Sequence, residues 1–196
     1  MHRLDSIKHT DLVGALAAGV LLLVTAQVSP AQSDVSKYSN KLAPYVPSPP
    51  HVVERMLEMA NLKPGETIYD LGCGDGRILI TAAQLFRAKG VGVEISDRLA
   101  KIASNRVQKL GLQNQVKIIH GDLMNVDLSG ADVVTIYLLT LSNEELRPRL
   151  EKYLKPGARV VSHDFAVPGW KPTEVDRSSE HPGHSIYLYV MPAGKK

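Results

Sequence analysis

The stretch Ile68-Tyr69-Asp70-Leu71-Gly72-Cys73-Gly74-Asp75-Gly76-Arg77 constrains this chain more than any other. Apolar and aromatic residues surround one acid. Glycines then stand at every second position, and Ile78-Leu79-Ile80 follows as the start of a helix. That order predicts a buried strand, a bare-backbone turn and a helix N-terminus. Glycine lets the chain take positive φ and lets a ligand approach the backbone. The unpaired N–H groups of the helix that follows favour an anionic or carboxylate-bearing ligand.

The chain on either side alternates strand and helix. Val52, Val53, Met56, Leu57 and Ala60 recur at helical spacing, with Ser48 as a candidate N-cap before Pro49-Pro50. Thr67 to Leu71 is a strand apolar enough to be buried on both faces. Arg77 to Phe86 is a helix, Val91 to Glu94 a strand, and Ser96 caps a helix from Asp97 to Leu110. Val116 to His120 and Asp132 to Leu139 are strands. Ser142-Asn143-Glu144-Glu145 has the pattern of a capping box opening a helix to Leu154. Arg159 to Ser162 is a strand, and Ser185 to Val190 returns as part of a hairpin. These elements predict an α/β fold: a Rossmann-like, doubly wound sheet, mostly parallel, with an antiparallel C-terminal strand. Such sheets bind ligands at the carboxyl ends of their strands. Asp70, Gly72, Glu94, Asp122 and Tyr137 all fall at or just past strand ends.

The spacing Gly72-x-Gly74-x-Gly76 departs from the dinucleotide fingerprint G-x-G-x-x-G, because position 77 is Arg. Asp70, two residues before the first glycine, would repel a pyrophosphate but suits an ammonium group. Glu94 ends the next strand, where an acid accepts hydrogen bonds from ribose hydroxyls. Asp122, just past the third strand, has a carboxylate able to accept from an adenine amino group. Together they fit a nucleoside with an amino-acid tail, S-adenosylmethionine. Bland alternatives exist for each acid: Glu94 as a solvated strand end and Asp122 as an Asx-turn residue.

The run Asp70-Leu71-Gly72-Cys73-Gly74-Asp75-Gly76, with Glu94 and Gly121-Asp122, resembles the cofactor motifs of class I S-adenosylmethionine-dependent methyltransferases. The resemblance covers about residues 45 to 190. It implies cofactor contacts from Tyr45, Asp70, Gly72, Cys73, Gly74, Gly76, Glu94, Ile95, Gly121, Asp122 and Leu123. A narrower likeness rests on Pro44-Tyr45-Val46-Pro47, Arg159-Val160-Val161-Ser162 and Pro168-Gly169-Trp170-Lys171-Pro172. These are similar to a small lysine methyltransferase family. Its mitochondrial members modify the ATP synthase c subunit and the adenine nucleotide translocase, and it has prokaryotic relatives. The likeness implies methyl transfer to a protein lysine, membrane proteins included. It leaves open a small-molecule or lipid acceptor, or a non-catalytic cofactor-binding module. Ile136-Tyr137-Leu138-Leu139 replaces the Asn-Pro-Pro-Tyr type of motif used on amide nitrogens and nucleic-acid bases. Tyr137 is the candidate to line the substrate channel or the methyl group, with a packed strand tyrosine as the alternative.

Composition adds limits. The formal net charge of +3 is too small to argue for nucleic acid, and no nucleic-acid partner is expected. Cys73 is the single cysteine, so no internal disulfide is possible. With no identifiable base beside it, it reads as a small residue that fits the turn rather than a nucleophile. His163-Asp164 lies after the fifth strand, with His163 expected to cap a strand end. His181-x-x-His184 sits in a loop with no cysteine, and a metal site would need further ligands, so no metal is expected. Residues 1–31 form a hydrophobic N-terminal segment, 32–50 a Pro/Ser-rich linker, and 51–196 the methyltransferase domain. No charge occurs from Leu12 to Ser33. Residues 12–28 are expected to anchor the chain in a membrane with a cytoplasmic catalytic domain, since an enzyme that consumes a cytosolic cofactor should stay with it. The alternative is export after signal cleavage near Ala31.

Overall fold

The computed structural model describes residues 42–177, 180 and 182–193. In chain order the elements are α1 (Pro50–Met59), β1 (Thr67–Leu71), α2 (Arg77–Phe86), β2 (Lys89–Glu94), α3 (Asp97–Lys109) and β3 (Val116–His120). A single 3-10 turn, Leu123–Asn125, follows. The chain continues through β4 (Val133–Ile136), α4 (Thr140–Tyr153), β5 (Arg159–His163), β6 (Glu174–Asp176) and β7 (Ile186–Val190).

The seven strands form one sheet in the order β3-β2-β1-β4-β5-β7-β6. From β3 to β5 all pairs are parallel; β7 runs antiparallel to both β5 and β6. Strand order reverses between β1 and β4, the switch point at which open α/β sheets bind ligands. The strands are apolar because parallel strands are covered on both faces, and all four residues of β4 are buried. Met56, Leu57, Ile68 and Leu79 are fully buried in one core cluster, and Leu71, Leu128, Ile136 and Leu146 in a second. Each such side chain contributes about 1.5–3 kcal/mol by leaving water. Gly92, inside β2, lies beneath Leu79 of α2. An added Cβ there would lie 2.6 Å from a Leu79 methyl and 2.7 Å from the Cys73 sulfur.

Tertiary contacts override local signals in several places. Ser48 does not cap α1; Pro49 holds the N-cap position without a side-chain bond, and the Ser48 hydroxyl is hydrogen-bonded to His163. The helix expected from Ser142 begins at Thr140. Ser142 and Asn143 face inward instead, donating to the carbonyls of Leu42 and Phe165. β6 has three residues and no pattern of its own; it forms because β7 offers an edge. Residues 42–49 are not a free linker. Leu42 and Ala43 pack on the second core cluster, and Arg77 donates to the Ser48 carbonyl at 2.8 Å. The hydrophobic segment at residues 12–28 lies outside the described residues, among which no helix is long and apolar enough to cross a membrane.

Candidate active site

The glycine turn leaves β1 at Leu71 and enters α2 at Arg77. The N–H groups of Gly72 and Cys73 both bond the Val93 carbonyl, at 2.8 and 3.0 Å, which ties the turn to β2. Gly74 has φ of +55°. The Tyr45 ring lies against it so closely that a Cβ at Gly74 would sit 2.5 Å from Tyr45 Cε2. Residue 74 must therefore be glycine on two counts, conformation and contact. The Cys73 side chain is buried, and burial pushes its thiol pKa far up. An un-ionised thiol is a poor nucleophile, in keeping with a small residue that fits the turn.

Glu94 ends β2 and is buried, so it is not a solvated strand end. One carboxylate oxygen accepts the Gly74 N–H at 2.8 Å and the other accepts the Ser96 N–H at 2.9 Å. It braces the turn from the neighbouring strand. Asp122 does form an Asx-type turn: its Oδ1 accepts the Met124 N–H at 2.8 Å and opens the 3-10 turn. Ile95, Gly121 and Asp122 are half-buried beside these acids, and Leu123 is buried. The structure thus brings the expected residues of β1, β2 and β3 to one edge of the sheet.

Asp70 is 3% exposed at the end of β1. Burial raises its carboxyl pKa to about 7; the 2.8 Å bond from the Thr135 hydroxyl opposes the rise, and the carboxylates of Glu94 and Asp75 add to it. A buried acid poised this way ionises fully when a cation arrives. Asp75 is the converse case. The guanidiniums of Arg77 and Arg106 lie 2.8 and 2.5 Å from its Oδ2. These two cations and its hydrogen bonds outweigh burial and hold its pKa below the usual range. Neither Thr135 nor the Asp75–Arg106 pair stands out in the sequence, because both partners lie far from their contacts in the chain.

The other half of the edge, past β4, β5 and the start of β7, holds a second constellation. Tyr137 donates to Asp164 Oδ2 at 2.9 Å. His184 Nδ1 lies 3.2 Å from the same oxygen and 3.0 Å from His163 Nε2. His163 Nδ1 is hydrogen-bonded to the Ser48 hydroxyl at 2.8 Å, and the Ser185 N–H donates to Asp164 Oδ1 at 2.9 Å. His163 is fully buried inside this network rather than capping a strand end. Burial lowers its pKa to about 4. Tyr137 is raised to about 12 by burial and by the Asp164 carboxylate. Its ring lies 3.9 Å from that of His163 and 6.2 Å from that of Phe165. His184 has its companions here, whereas His181 lies outside the described residues. The nitrogen and oxygen atoms of His163, Asp164 and His184 lie within 4.8 Å of one another. Sequence spacing could not show this set, because antiparallel pairing of β7 with β5 creates it.

One edge therefore presents acids and a glycine turn suited to a nucleoside with a cationic amino-acid tail. The adjoining edge presents a polar and aromatic cluster. This is the layout of a class I methyltransferase that uses S-adenosylmethionine, and comparison with known proteins agrees. A family profile described as the ANTKMT methyltransferase domain matches residues 70–174. The chain is 51% identical over 150 residues to a protein-lysine N-methyltransferase of Saccharolobus islandicus, covering 76% of this chain and 93% of that one. It is 32% identical over 167 residues to the lysine N-methyltransferase of Homo sapiens that is named for the ATP synthase c subunit, covering 85% and 68%. Among solved structures, an RNA methyltransferase from Salinibacter ruber in complex with S-adenosyl-L-homocysteine superposes with a TM-score of 0.73 at 42% identity, covering 77% and 97%. The chain belongs to the ANTKMT methyltransferase family and is an S-adenosylmethionine-dependent enzyme.

Proposed function

We propose that this enzyme methylates lysine side chains of protein. The observation that carries this is the 51% identity with a protein-lysine N-methyltransferase across 93% of that protein's length. When bound, S-adenosylmethionine supplies an electrophilic methyl group on a sulfonium. Asp70, ionised, takes the amino group of its methionine end beside the turn from Gly72 to Gly76. Glu94 holds the Gly74 N–H in place and accepts from the ribose hydroxyls. Asp122 accepts from the adenine amino group, with Ile95, Gly121 and Leu123 against the base. Tyr45 packs its ring against Gly74 at the mouth of this turn. Alignment of nucleophile and methyl then supplies much of the rate, as in other displacements within a closed site. Attachment through residues 12–28, with the catalytic domain on the cytoplasmic side, would hold the enzyme near membrane-embedded acceptors. The uncharged apolar run there supports this reading.

A second reading is RNA methylation, favoured by the 42% identity with the Salinibacter ruber structure. Incubating the purified chain with methyl-labelled S-adenosylmethionine and a cell extract separates the two. Label recovered as methyl-lysine after protein hydrolysis is the expected result. Label in nuclease-sensitive material would replace lysine with RNA, and label extracted into organic solvent would indicate a lipid. Sequencing the N-terminus of the native protein checks the anchor: cleavage near Ala31 would mean export.

A further inference from the structure

We infer that Asp164, with Tyr137 and His184, forms the seat of the methyl-accepting amine and that the Asp164 carboxylate meets the acceptor nitrogen directly. This rests on the lysine reading above. Position is the first argument. Thr135 and Tyr137 stand two apart on and just past β4; the Thr135 hydroxyl donates to Asp70, on the cofactor side, and the Tyr137 hydroxyl to Asp164. The cluster therefore adjoins the cofactor edge through a single strand.

Backbone conformation is the second argument. Asp164 is a non-glycine residue held at φ of +59°. That conformation is uncommon and persists where the surroundings over-determine it, typically at functional sites. Here the Ser185 N–H on Oδ1 and the Tyr137 hydroxyl on Oδ2 fix the carboxylate. Among the described residues its ion-pair partners are the imidazoles of His163 and His184 rather than a lysine or arginine. The carboxylate lies against the Tyr137 hydroxyl and the His163 imidazole, with the Phe165 ring stacked on that of Tyr137. Aromatic faces and a fixed anion are the chemistry that receives an alkylammonium.

Charge development is the third argument. The ammonium first loses one proton to water at the half-exposed edge by His184. The neutral nitrogen then forms the N–C bond as the C–S bond breaks, and that electron pair stays on sulfur. Positive charge thus leaves the sulfonium and grows on the nitrogen, where a preorganised carboxylate stabilises it. The products are a methylammonium and S-adenosylhomocysteine.

The test measures initial rates of lysine labelling in a cell extract with methyl-labelled S-adenosylmethionine, alongside calorimetric titration of S-adenosylhomocysteine into each purified variant. Asp164→Asn should lower the rate at least about 50-fold with the S-adenosylhomocysteine Kd unchanged within about twofold. Asp164→Glu should recover part of the rate. Tyr137→Phe, which removes one hydrogen bond and little packing, should lower it about tenfold and carries the test if Asp164→Asn fails to fold. Rates within about threefold of wild type in Tyr137→Phe and in a folded Asp164→Asn would overturn the inference. Loss of activity with EDTA and its return with zinc would reassign the cluster to a metal. If the unaltered chain places its label in RNA or lipid, the lysine reading fails first and takes this inference with it.

Discussion

The carboxyl edge of the sheet has two halves built by different means. The β3-β2-β1 half is local: the glycine turn occupies consecutive positions, and its brace Glu94 is 20 residues from Gly74. Its partners are largely backbone N–H groups. The β4-β5-β7 half is assembled from side chains distant in sequence, with Ser48 and His163 separated by 115 positions. A cofactor shared by many enzymes is met by a turn that a short run of residues can encode, whereas an acceptor is met by side chains that converge only on folding. Thr135, bonded to Asp70, is the seam between the halves.

Breaking the first half should abolish binding of the cofactor. Asp70→Ala is expected to weaken S-adenosylmethionine more than about 100-fold, because charge-assisted bonds to a buried partner contribute about 1.5–3 kcal/mol and a second effect, loss of the Thr135 bond, accompanies it. Titration calorimetry checks this, and an affinity within about fivefold of wild type would move the amino group's partner elsewhere. Glu94→Gln should cost about tenfold, since the amide keeps one acceptor oxygen but not the charge that two N–H groups and a ribose would share. An unchanged Kd would return Glu94 to a purely structural brace.

A pH titration sharpens the same half. Asp70 stays largely protonated below about 7 in the free protein. Binding a cation there requires its ionisation, so S-adenosylmethionine affinity should rise nearly tenfold from about pH 5.5 to 6.5 and level off above about 7.5. Stability of the free protein runs the other way. The folded pKa is raised, so the folded state holds more protons than the unfolded one between about pH 4 and 7, and this group's contribution declines as pH rises through that window. Asp70→Asn should flatten both curves. The smallest effect is expected at the seam. Thr135→Val removes one hydrogen bond of about 1 kcal/mol, which should weaken cofactor binding severalfold. A larger loss in lysine methylation than in cofactor affinity would show that the seam also positions Tyr137.

Legibility in the sequence follows the same division. β1, α2 and β3 are readable to the residue, because their signals are local: an apolar run, a glycine turn, a strand bounded by polar residues. The acids Asp70, Glu94 and Asp122 are readable because strand ends in a parallel sheet point to one edge. Ser48 has the position of a cap, but its hydroxyl has a better partner in buried His163. Ser142 and Asn143 match a capping box, but their side chains satisfy carbonyls of Leu42 and Phe165, and the helix starts at Thr140 instead. His163-Asp164 and His184 look unrelated in the chain until the antiparallel return of β7 joins them.

What the amino-acid order alone determined, then, is the cofactor: a glycine turn two residues after an acid, followed by acids at the next two strand ends, specifies a ligand because the turn and its acids are set by neighbours in the chain and by the regular register of parallel strands. Tertiary structure decided the acceptor side beyond Tyr137, which the sequence already offers. The antiparallel pairing of β7 with β5 sets Ser185 and His184 beside Asp164, and the packed segment before α1 delivers Ser48 to His163. Contacts of that range depend on where whole elements dock, and no local pattern of residues encodes them.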